Sequence, residues 1–393
     1  MRIQRLLWTL AVSIPLVLSG SAAGSATTAD RLRLSEFTVD HDAMCDIRDE
    51  WVADILATHE AGTWAKMEFH PNDSQLARMG LPSADILTSR RYSKPTIVTE
   101  DGRFVELSMR EFNAAMAQGN GKGNGGSKGG NGGTQASDPA LASFAGTGCL
   151  GIRPGAFLLL LTGGGVGWCS AAHVYGSAGS YDISTAGHCG GNGDVATVIA
   201  AVGNRGGAAG PVLLDFGTFT GSVDGGLGND YAKIDIFSQY QHLVTPTMCF
   251  WGGPRGVYTK TGAVAQFTYQ GGFPSGVSVT PDPLLAQTIV HYGHGTGVGA
   301  GGTPRAGETI HWGSSHFMFF GAISPGDSGS GGNTLAGDTV GANMEAAGIM
   351  THLYVDPLMR QGFGIMGGTR TTKVGTPANG QIVPYPVPVD GLP

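Results

Sequence analysis

Short apolar runs, broken about every ten residues by Gly, Asn or Pro, fill the chain from Cys149 onward. Before a break near Thr245-Pro246, the runs lie at 156–162, 166–171, 180–186, 196–202, 212–218 and 231–237. After it, they lie at 256–261, 262–269, 287–290, 308–312, 315–320, 346–352 and 362–367. Such spacing is typical of antiparallel barrels or a sandwich. The pattern predicts an all-β protein with one strand set in residues 148–245 and another in 246–376.

A different pattern precedes these strands, in residues 27–118. Apolar positions in 43–59 recur close to helical periodicity. Residues 96–107 alternate around Asp101-Gly102, which is a hairpin signal. Ser108 and Glu111 form a capping-box pattern that opens a second short helix, to about residue 117. The segment is predicted to be a small α+β unit, either a pro-segment or an accessory domain unrelated to activation.

The two ends and the linker have their own compositions. Residues 1–26 begin with basic residues, continue with an apolar run at 6–18 and end with small residues, so they predict a signal peptide and a secreted, extracellular protein. The apolar run is too short to favour a membrane anchor. Residues 119–147 are rich in Gly, Asn, Lys and Ser and predict a flexible linker, with a maturation cleavage expected within it. Residues 377–393 form a Pro-rich tail.

Charge and glycine content narrow the function classes. Residues 1–134 hold 14 Lys/Arg and 16 Asp/Glu, whereas residues 135–393 hold only 9 and 14. The mildly acidic net charge of −7 argues against a nucleic-acid partner. The 67 glycines are too many for a helical protein and lack the period of collagen. A compact β-rich enzyme fits this composition.

The sharpest chemical signal is Gly326-Asp327-Ser328-Gly329. Glycines around Ser328 allow a sharp turn and leave its hydroxyl uncovered. A serine nucleophile also needs a base and donors for the oxyanion. His188 follows an apolar run and precedes Cys189, and Asp230 begins an alternating run. The alternative interpretation of the serine motif alone is a glycine-rich hairpin.

These three motifs, in the order His, Asp and Ser, resemble those of the trypsin/chymotrypsin-like serine proteases, and most closely their bacterial secreted branch. The resemblance covers about residues 148–370. It implies two six-stranded antiparallel β-barrels with the site between them, no cofactor, and a protein or peptide substrate. His188 would be the base, Asp230 would orient it, Ser328 would attack, and the N–H groups of Gly326 and Ser328 would bind the oxyanion.

Several assignments in this site have rivals. Asp215, Asp224 and Asp235 compete with Asp230 for the third role, although Asp-Tyr-Ala-Lys-Ile matches the family's Asp-x-Ala pattern. Asp182 and Asp327 are expected to be structural. Four histidines raise a metal site as an alternative, but their spacing is not diagnostic, so no metal is predicted. The four are His291, His294, His311 and His316.

The resemblance also implies a substrate pocket and disulfides. The pocket floor corresponds to Ala322; alanine there argues against Arg or Lys selection, and Ile349 and Met350 suggest a small or medium apolar side chain. For the five cysteines, the resemblance implies the disulfides Cys169–Cys189 and Cys149–Cys249, and Cys45 is left without a partner in this scheme. The first bridge would stabilise the histidine loop by roughly 3 kcal/mol.

The predicted function is a secreted serine endopeptidase made as a precursor, with its own upstream segment as an intramolecular inhibitor. No membrane partner is expected after signal cleavage. The alternative is a catalytically silent barrel scaffold that acts as a cell-wall or extracellular binding module. The presence of His188, Asp230 and Ser328 together with the Gly-Asp-Ser-Gly motif favours the enzyme, because a scaffold would not need all four features.

Overall fold

The structure is a computed structural model. It describes residues 65–66, 70–78, 81–99, 101–112, 152–162, 165–200, 212–248, 251–263, 265–270, 273–279, 287–293, 303–323, 326–335, 344–353 and 363–380. The predicted leader, linker, first upstream helix and Pro-rich tail beyond 380 lie outside these residues, as do Cys45, Cys149 and Cys249. Within the described ranges, no helix has the length and apolar character needed to cross a bilayer.

The upstream unit, defined here as the described part of residues 65–112, contains short helices and strands. They are β1 (Ala65–Lys66), α1 (Asp73–Arg78), α2 (Ala84–Thr88), β2 (Thr96–Val98) and β3 (Phe104–Glu106). The predicted hairpin is confirmed, because β2 and β3 pair antiparallel across a turn at Gly102, which has φ 76°. The capping box is confirmed as well: Ser108 Oγ donates to the Glu111 carboxylate at 2.7 Å, and the Glu111 N–H donates back at 3.3 Å.

The region of the first barrel contains seven antiparallel strands, six of which form its ring. They are β4 (Phe157–Thr162), β5 (Gly165–Ser170), β6 (Val174–Ser177), β7 (Ser180–Thr185), β8 (Val195–Ala200), β9 (Val212–Asp224) and β10 (Asp230–Ile236). Their order is β5-β4-β8-β9-β10-β7-β6. Beyond β5, the Ala172 N–H donates to the Ser184 carbonyl at 2.7 Å, and the Ser184 N–H donates to the His173 carbonyl at 2.8 Å. These bonds join the end of β5 to β7 and complete a ring of six strands around the apolar core.

The second barrel follows a 3₁₀ helix at Ser238–Leu243. Its region contains β11 (Gly256–Val257), β12 (Gly262–Ala263), β13 (Ala265–Gln270), β14 (Phe273–Val279), β15 (Thr288–Gly293), β16 (Thr303–Trp312), β17 (His316–Ala322), β18 (Gly331–Leu335), β19 (Glu345–Leu353), β20 (Phe363–Arg370) and α3 (Thr371–Val374). The order β19-β18-β15-β16-β17-β20 closes because β20 also pairs with β19. The predicted fold of two six-stranded antiparallel barrels is therefore confirmed.

Among the strands described from residue 148 onward, three were absent from the sequence pattern: β6, β14 and β18. The strand β18 reads Gly-Gly-Asn-Thr-Leu, which lacks the alternating β-branched and aromatic residues that mark a strand. It is nevertheless central to the second barrel, where β15 and β19 pair on either side of it. Neighbouring strands, rather than local propensity, stabilise it.

The upstream unit packs on the first barrel. β2 pairs antiparallel with β9, at Thr96↔Leu213 and Ile97↔Val212. A buried apolar cluster joins the two parts and consists of Leu76, Leu81, Leu87, Tyr92, Val98, Phe157, Leu159, Val166, Trp168 and Leu213. The buried Asp215 carboxylate accepts the Tyr92 N–H at 2.8 Å, and the Asp215 N–H donates to the Tyr92 carbonyl at 2.8 Å. Burial of this much apolar surface makes the unit a part of the barrel's packing rather than a loose appendage.

His173 joins the two barrels and makes their association sensitive to pH. Its Nε2 lies 3.0 Å from Asn333 Oδ1 in β18, and the ring is buried. Burial lowers the pKa of His173 from 6.5 to about 4, against a smaller raising effect of the Asn333 hydrogen bond. The unfolded chain therefore binds a proton below about pH 6.5 that the folded protein does not take up until about pH 4.

We expect the free energy of unfolding to fall as the pH drops from about 6.5 to about 4, with His173 contributing up to roughly 3 kcal/mol. His173→Gln keeps an N–H donor for Asn333 but does not titrate. The dependence of the free energy of unfolding on pH should therefore decrease by the equivalent of one proton. Urea unfolding across this pH range measures it, with the exposed His242→Gln as control. An unchanged slope in His173→Gln would contradict the assignment.

Candidate active site

His188 lies in a 3₁₀ turn, Gly187–Cys189, directly after β7. The turn is held from two directions. Cys189 forms a disulfide with Cys169 of β5, which is the first of the two bridges implied by the sequence. A Cβ on Gly187 would lie 1.9 Å from the Val223 carbonyl oxygen, so only glycine allows this close approach to β9. The imidazole is thereby presented at the edge of the first barrel.

Asp230 is the first residue of β10 and is fully buried beside His188. Its Oδ2 lies 2.7 Å from His188 Nδ1. Its Oδ1 accepts the N–H groups of Gly187 at 2.6 Å and His188 at 3.1 Å. These contacts fix the carboxylate plane against the ring, so Nδ1 carries the proton donated to Asp230 and Nε2 is left as the acceptor.

The second barrel also holds Asp230. Thr369 Oγ1 in β20 donates to the Asp230 carbonyl at 2.8 Å and accepts the Asp230 N–H at 3.0 Å. His352 Nδ1 in β19 lies 3.8 Å from Asp230 Oδ2. Neither contact was expected from the sequence, because no local pattern connects residues so distant along the chain.

Ser328 lies in the turn between the ends of β17 and β18, and its Oγ is hydrogen-bonded to His188 Nε2. The Ser328 carbonyl accepts the Ser170 N–H at 2.7 Å, which ties the turn to the first barrel. Gly326 and Gly329 have φ values of 102° and 83°, a region that favours glycine. A Cβ on Gly329 would also lie 2.1 Å from Thr185 Oγ1. The glycines of the motif are therefore required by backbone geometry and by packing.

Asp327, directly before Ser328, is fully buried. Its buried carboxylate forms an ion pair with Arg305 of β16, whose side chain is also buried. Removing one member of such a pair leaves an uncompensated buried charge. This pairing agrees with the structural role expected for Asp327 and holds the backbone just before Ser328. Arg305 itself carried no sequence signal.

The rival aspartates do not contact His188 in the described hydrogen bonds. Asp215 bonds Tyr92 and also accepts from Thr197 Oγ1 at 2.6 Å. Asp235 pairs with Asp182 across β10 and β7. Burial raises the pKa of Asp182, and the neighbouring Asp235 carboxylate raises it further. Asp224 lines the same cavity as His188.

The predicted pocket residues lie in β17 and β19. Ile349 and Met350 are fully buried; Ile349 belongs to the apolar cluster of the first barrel and Met350 to that of the second. The Ala322 side chain lies outside the described part, although its backbone pairs with Phe363. Gly326, assigned to the oxyanion site, accepts the Ser170 hydroxyl through its carbonyl at 3.0 Å. The pocket and the oxyanion site stay predictions.

The four histidines considered as metal ligands lie in different surroundings. His311 and His316 stack with ring centroids 5.0 Å apart, His291 packs against Phe319, and His294 lies outside the described residues. Burial lowers the pKa of His311 to about 4, with smaller contributions from His316 and Arg370. Cys169, His188 and Cys189 also cluster, but their sulfurs are joined as a disulfide, which leaves no thiolate ligand.

A cavity of about 540 Å³ opens beside His188. The disulfide and Trp168 form its wall, and polar side chains line it, including Asn192, Asp194 and Asp224. His70 of the upstream unit also lines it. A residue far upstream therefore reaches the neighbourhood of the imidazole.

No known family profile and no curated protein matches the sequence. The structure is similar to solved serine proteases. Thermobifida fusca protease A has 17% identity, covers 58% of this chain and 99% of its own, and gives a TM-score of 0.31. Nocardiopsis protease has 20% identity, with 57% and 94% covered and a TM-score of 0.29. The thermostable serine protease AL20 from an extremophilic microorganism has 16% identity, with 55% and 89% covered and a TM-score of 0.33. At such identities and scores the likeness carries no argument about chemistry.

Proposed function

We propose that this protein is a serine endopeptidase that hydrolyses peptide bonds in protein or peptide substrates. The observation that supports the proposal is the unbroken hydrogen-bonded chain from Asp230 through His188 to Ser328. Nucleophile, base and orienting carboxylate within hydrogen-bond reach are the geometric signature of an activated serine. Two of these groups come from one barrel and the third from the other.

Ser328 Oγ attacks the carbonyl carbon of the scissile bond while His188 Nε2 takes the hydroxyl proton. Asp230 stabilises the resulting imidazolium through Nδ1. The C–N bond breaks as the imidazolium protonates the departing amine, which leaves an ester on Ser328. Water, deprotonated by His188, then attacks this ester and releases the acid product and free serine.

Charge on the tetrahedral intermediate needs donors that are already in position. We assign this role to the N–H groups of Gly326 and Ser328. The left-handed backbone at Gly326 supports this assignment, since it allows a turn that aims successive N–H groups at one point. The ion pair of Asp327 with Arg305 holds the backbone between these two donors.

The proposal includes export as a precursor. The leader pattern at residues 1–26 supports export, and the Cys169–Cys189 bridge suits an oxidising compartment. The bridge stabilises the turn that bears His188, so reduction should weaken activity as well as stability.

The test of this proposal is covalent labelling of the purified protein with a fluorophosphonate probe. Wild type should be labelled at Ser328 because the probe phosphonylates an activated serine, whereas Ser328→Ala should not be labelled. Peptide mapping locates the adduct. Equal labelling of both proteins, or an adduct on another residue, would contradict the assignment, and an unlabelled wild type would favour the silent scaffold.

A further inference from the structure

The two cysteines of the disulfide and the imidazole of His188 bring three metal-ligating atoms together. One ring nitrogen of His188 and the sulfurs of Cys169 and Cys189 all lie within 4.8 Å of one another. Tetrahedral zinc bonds of about 2.3 Å to sulfur and about 2.0 Å to nitrogen place such ligand atoms roughly 3.5 to 3.8 Å apart. The histidine nitrogen therefore lies close enough to both sulfurs to share one ion with them.

The disulfide bond withholds both sulfurs from a metal, and its reduction supplies two thiols. With a phosphine as the reductant, the phosphorus takes the oxygen of one water molecule, and the sulfurs gain two electrons and the two protons of that water. Each thiol then loses its proton when it binds a divalent ion. The Cα atoms of Cys169 and Cys189 are 6.3 Å apart. Rotation of the two side chains can therefore separate the sulfurs without movement of the backbone.

The segments that carry the three ligands are held by contacts other than the disulfide. Cys169 lies in β5, which pairs with β4 along its whole length. The turn that contains His188 stays attached to the buried Asp230, whose Oδ1 accepts two N–H groups of this turn. The Cys189 N–H also donates to the Ala186 carbonyl at 3.2 Å. Reduction breaks one link among several, so the three ligand residues remain neighbours.

Asp230 already makes the second contact that a metal-ligating histidine needs. Its Oδ2 lies 2.7 Å from His188 Nδ1 and accepts the proton of that nitrogen, so the lone pair of the ring is on Nε2. Histidines that bind metals almost always donate their other ring N–H to a carboxylate or a carbonyl, which fixes the ring and raises its basicity. The pair that serves catalysis therefore also has the arrangement of a metal ligand with its supporting carboxylate.

The cavity beside His188 gives an ion access to these atoms. Its volume of about 540 Å³ exceeds the roughly 180 Å³ of six water molecules, so a hydrated ion fits. Asp194 and Asp224 contribute negative charge to its wall, and none of the described residues that line it is Lys or Arg. Such a wall attracts cations. Because both cysteines line the same cavity, a water molecule from it can complete a set of four ligands.

We propose that, when Cys169 and Cys189 are reduced, their thiolates and His188 Nε2 bind one zinc ion, which inhibits the peptidase; the inhibition rests on the proposed function. Two soft thiolates, one imidazole and a water form a donor set that suits Zn²⁺. An ion on Nε2 occupies the lone pair that would take the Ser328 proton, so acylation stops. A disulfide oxidant takes two electrons from the thiolates, becomes a dithiol, and thereby releases the ion and restores the base.

The first experiment measures the metal site with Co²⁺, a spectroscopic substitute for Zn²⁺, on the purified full chain. Reduced wild type should show a sulfur-to-cobalt charge-transfer band that saturates at one ion per chain and disappears when Zn²⁺ is added. The matched control is Cys169→Ser combined with Cys189→Ser, which keeps the three other cysteines under the same reductant. An equally strong band in this control, or in the oxidised wild type, would overturn the proposal.

Asp230→Asn tests whether His188 binds the ion through Nε2. Loss of the supporting carboxylate should weaken Co²⁺ binding to the reduced protein roughly 10- to 100-fold. The exposed Asp235→Asn on the same strand is the control and should keep the wild-type affinity. An unchanged affinity in Asp230→Asn would contradict the assignment of the nitrogen ligand.

Fluorophosphonate labelling of Ser328 tests the inhibition. Zn²⁺ should leave the labelling rate of the oxidised protein unchanged and should lower that of the reduced protein at least tenfold, and a chelator should restore it. Labelling of the reduced protein that does not respond to Zn²⁺ would overturn the inhibition. An oxidised protein that is never labelled would remove the peptidase assignment and the inhibition with it, whereas the cobalt band would still establish the metal site.

Circular dichroism decides the case in which reduction unfolds the chain. An ion that binds only the folded state shifts the unfolding equilibrium toward that state. Zn²⁺ should therefore raise the midpoint temperature of reduced wild type and leave that of the double cysteine variant unchanged. A reduced wild type that stays unfolded in the presence of Zn²⁺ would overturn the proposal.

Discussion

Ser328→Ala should reduce kcat on a synthetic peptide substrate by about 10⁶-fold, as found for loss of a serine nucleophile in a triad. The reason is that alanine leaves no atom to form the acyl-enzyme, while His188 and Asp230 cannot act without it. A chromogenic anilide ending in Ala, Leu or Phe is the suitable substrate, since the predicted pocket suits small or medium apolar side chains.

Ser330→Ala is the matched control for this experiment. Ser330 is also fully buried and lies two residues away, but its Oγ has no hydrogen-bond partner among the described residues. Its activity should stay within a few-fold of wild type. Retention of more than a hundredth of kcat in Ser328→Ala would place the nucleophile elsewhere.

Asp230→Asn should lower kcat by about 10⁴-fold with little change in KM, the magnitude known for this substitution in the serine-protease triad. The carbonyl of the new side-chain amide can still accept the N–H groups of Gly187 and His188. The NH₂ group of that amide would then face His188 Nδ1 and favour the tautomer that carries the proton on Nε2. In that tautomer the ring cannot take the proton of Ser328.

The exposed Asp235→Asn on the same strand is the control and should keep wild-type kcat. It removes a carboxylate of the same strand without touching the histidine. Equal losses in both variants would show a general effect of charge or folding. A loss confined to Asp235→Asn would mean that the third role belongs to a different carboxylate.

Much of the barrel architecture was predictable because its signals are local. The apolar runs at 156–162 and 180–186 overlap β4 and β7 closely, and the hairpin at 96–107 was located by its turn residues. A strand that is half-buried against a core shows alternating apolar and polar residues in its sequence. Glycine-rich β18 lacks this alternation, because it is buried by the strands that pair with it rather than by its own apolar side chains.

The candidate site was predictable only in part. His188, Asp230 and Ser328 stand in recognisable motifs, and the structure brings their side chains together. Thr369 and Arg305 hold the backbone around these groups, yet neither has a local signal, because each acts through a contact with a residue on another strand. Such contacts depend on the closure of the barrels.

The sequence by itself determined most of the strand pattern, the turns that require glycine, and the presence of a nucleophile, a base and a carboxylate in one chain. These features arise from interactions between neighbours along the chain. Only the tertiary structure decided that the upstream unit packs on the first barrel and that Ala65 and Lys66 occupy the edge of β19. Almost any residue can form backbone hydrogen bonds at a strand edge, so residues that pair there have no distinctive sequence pattern.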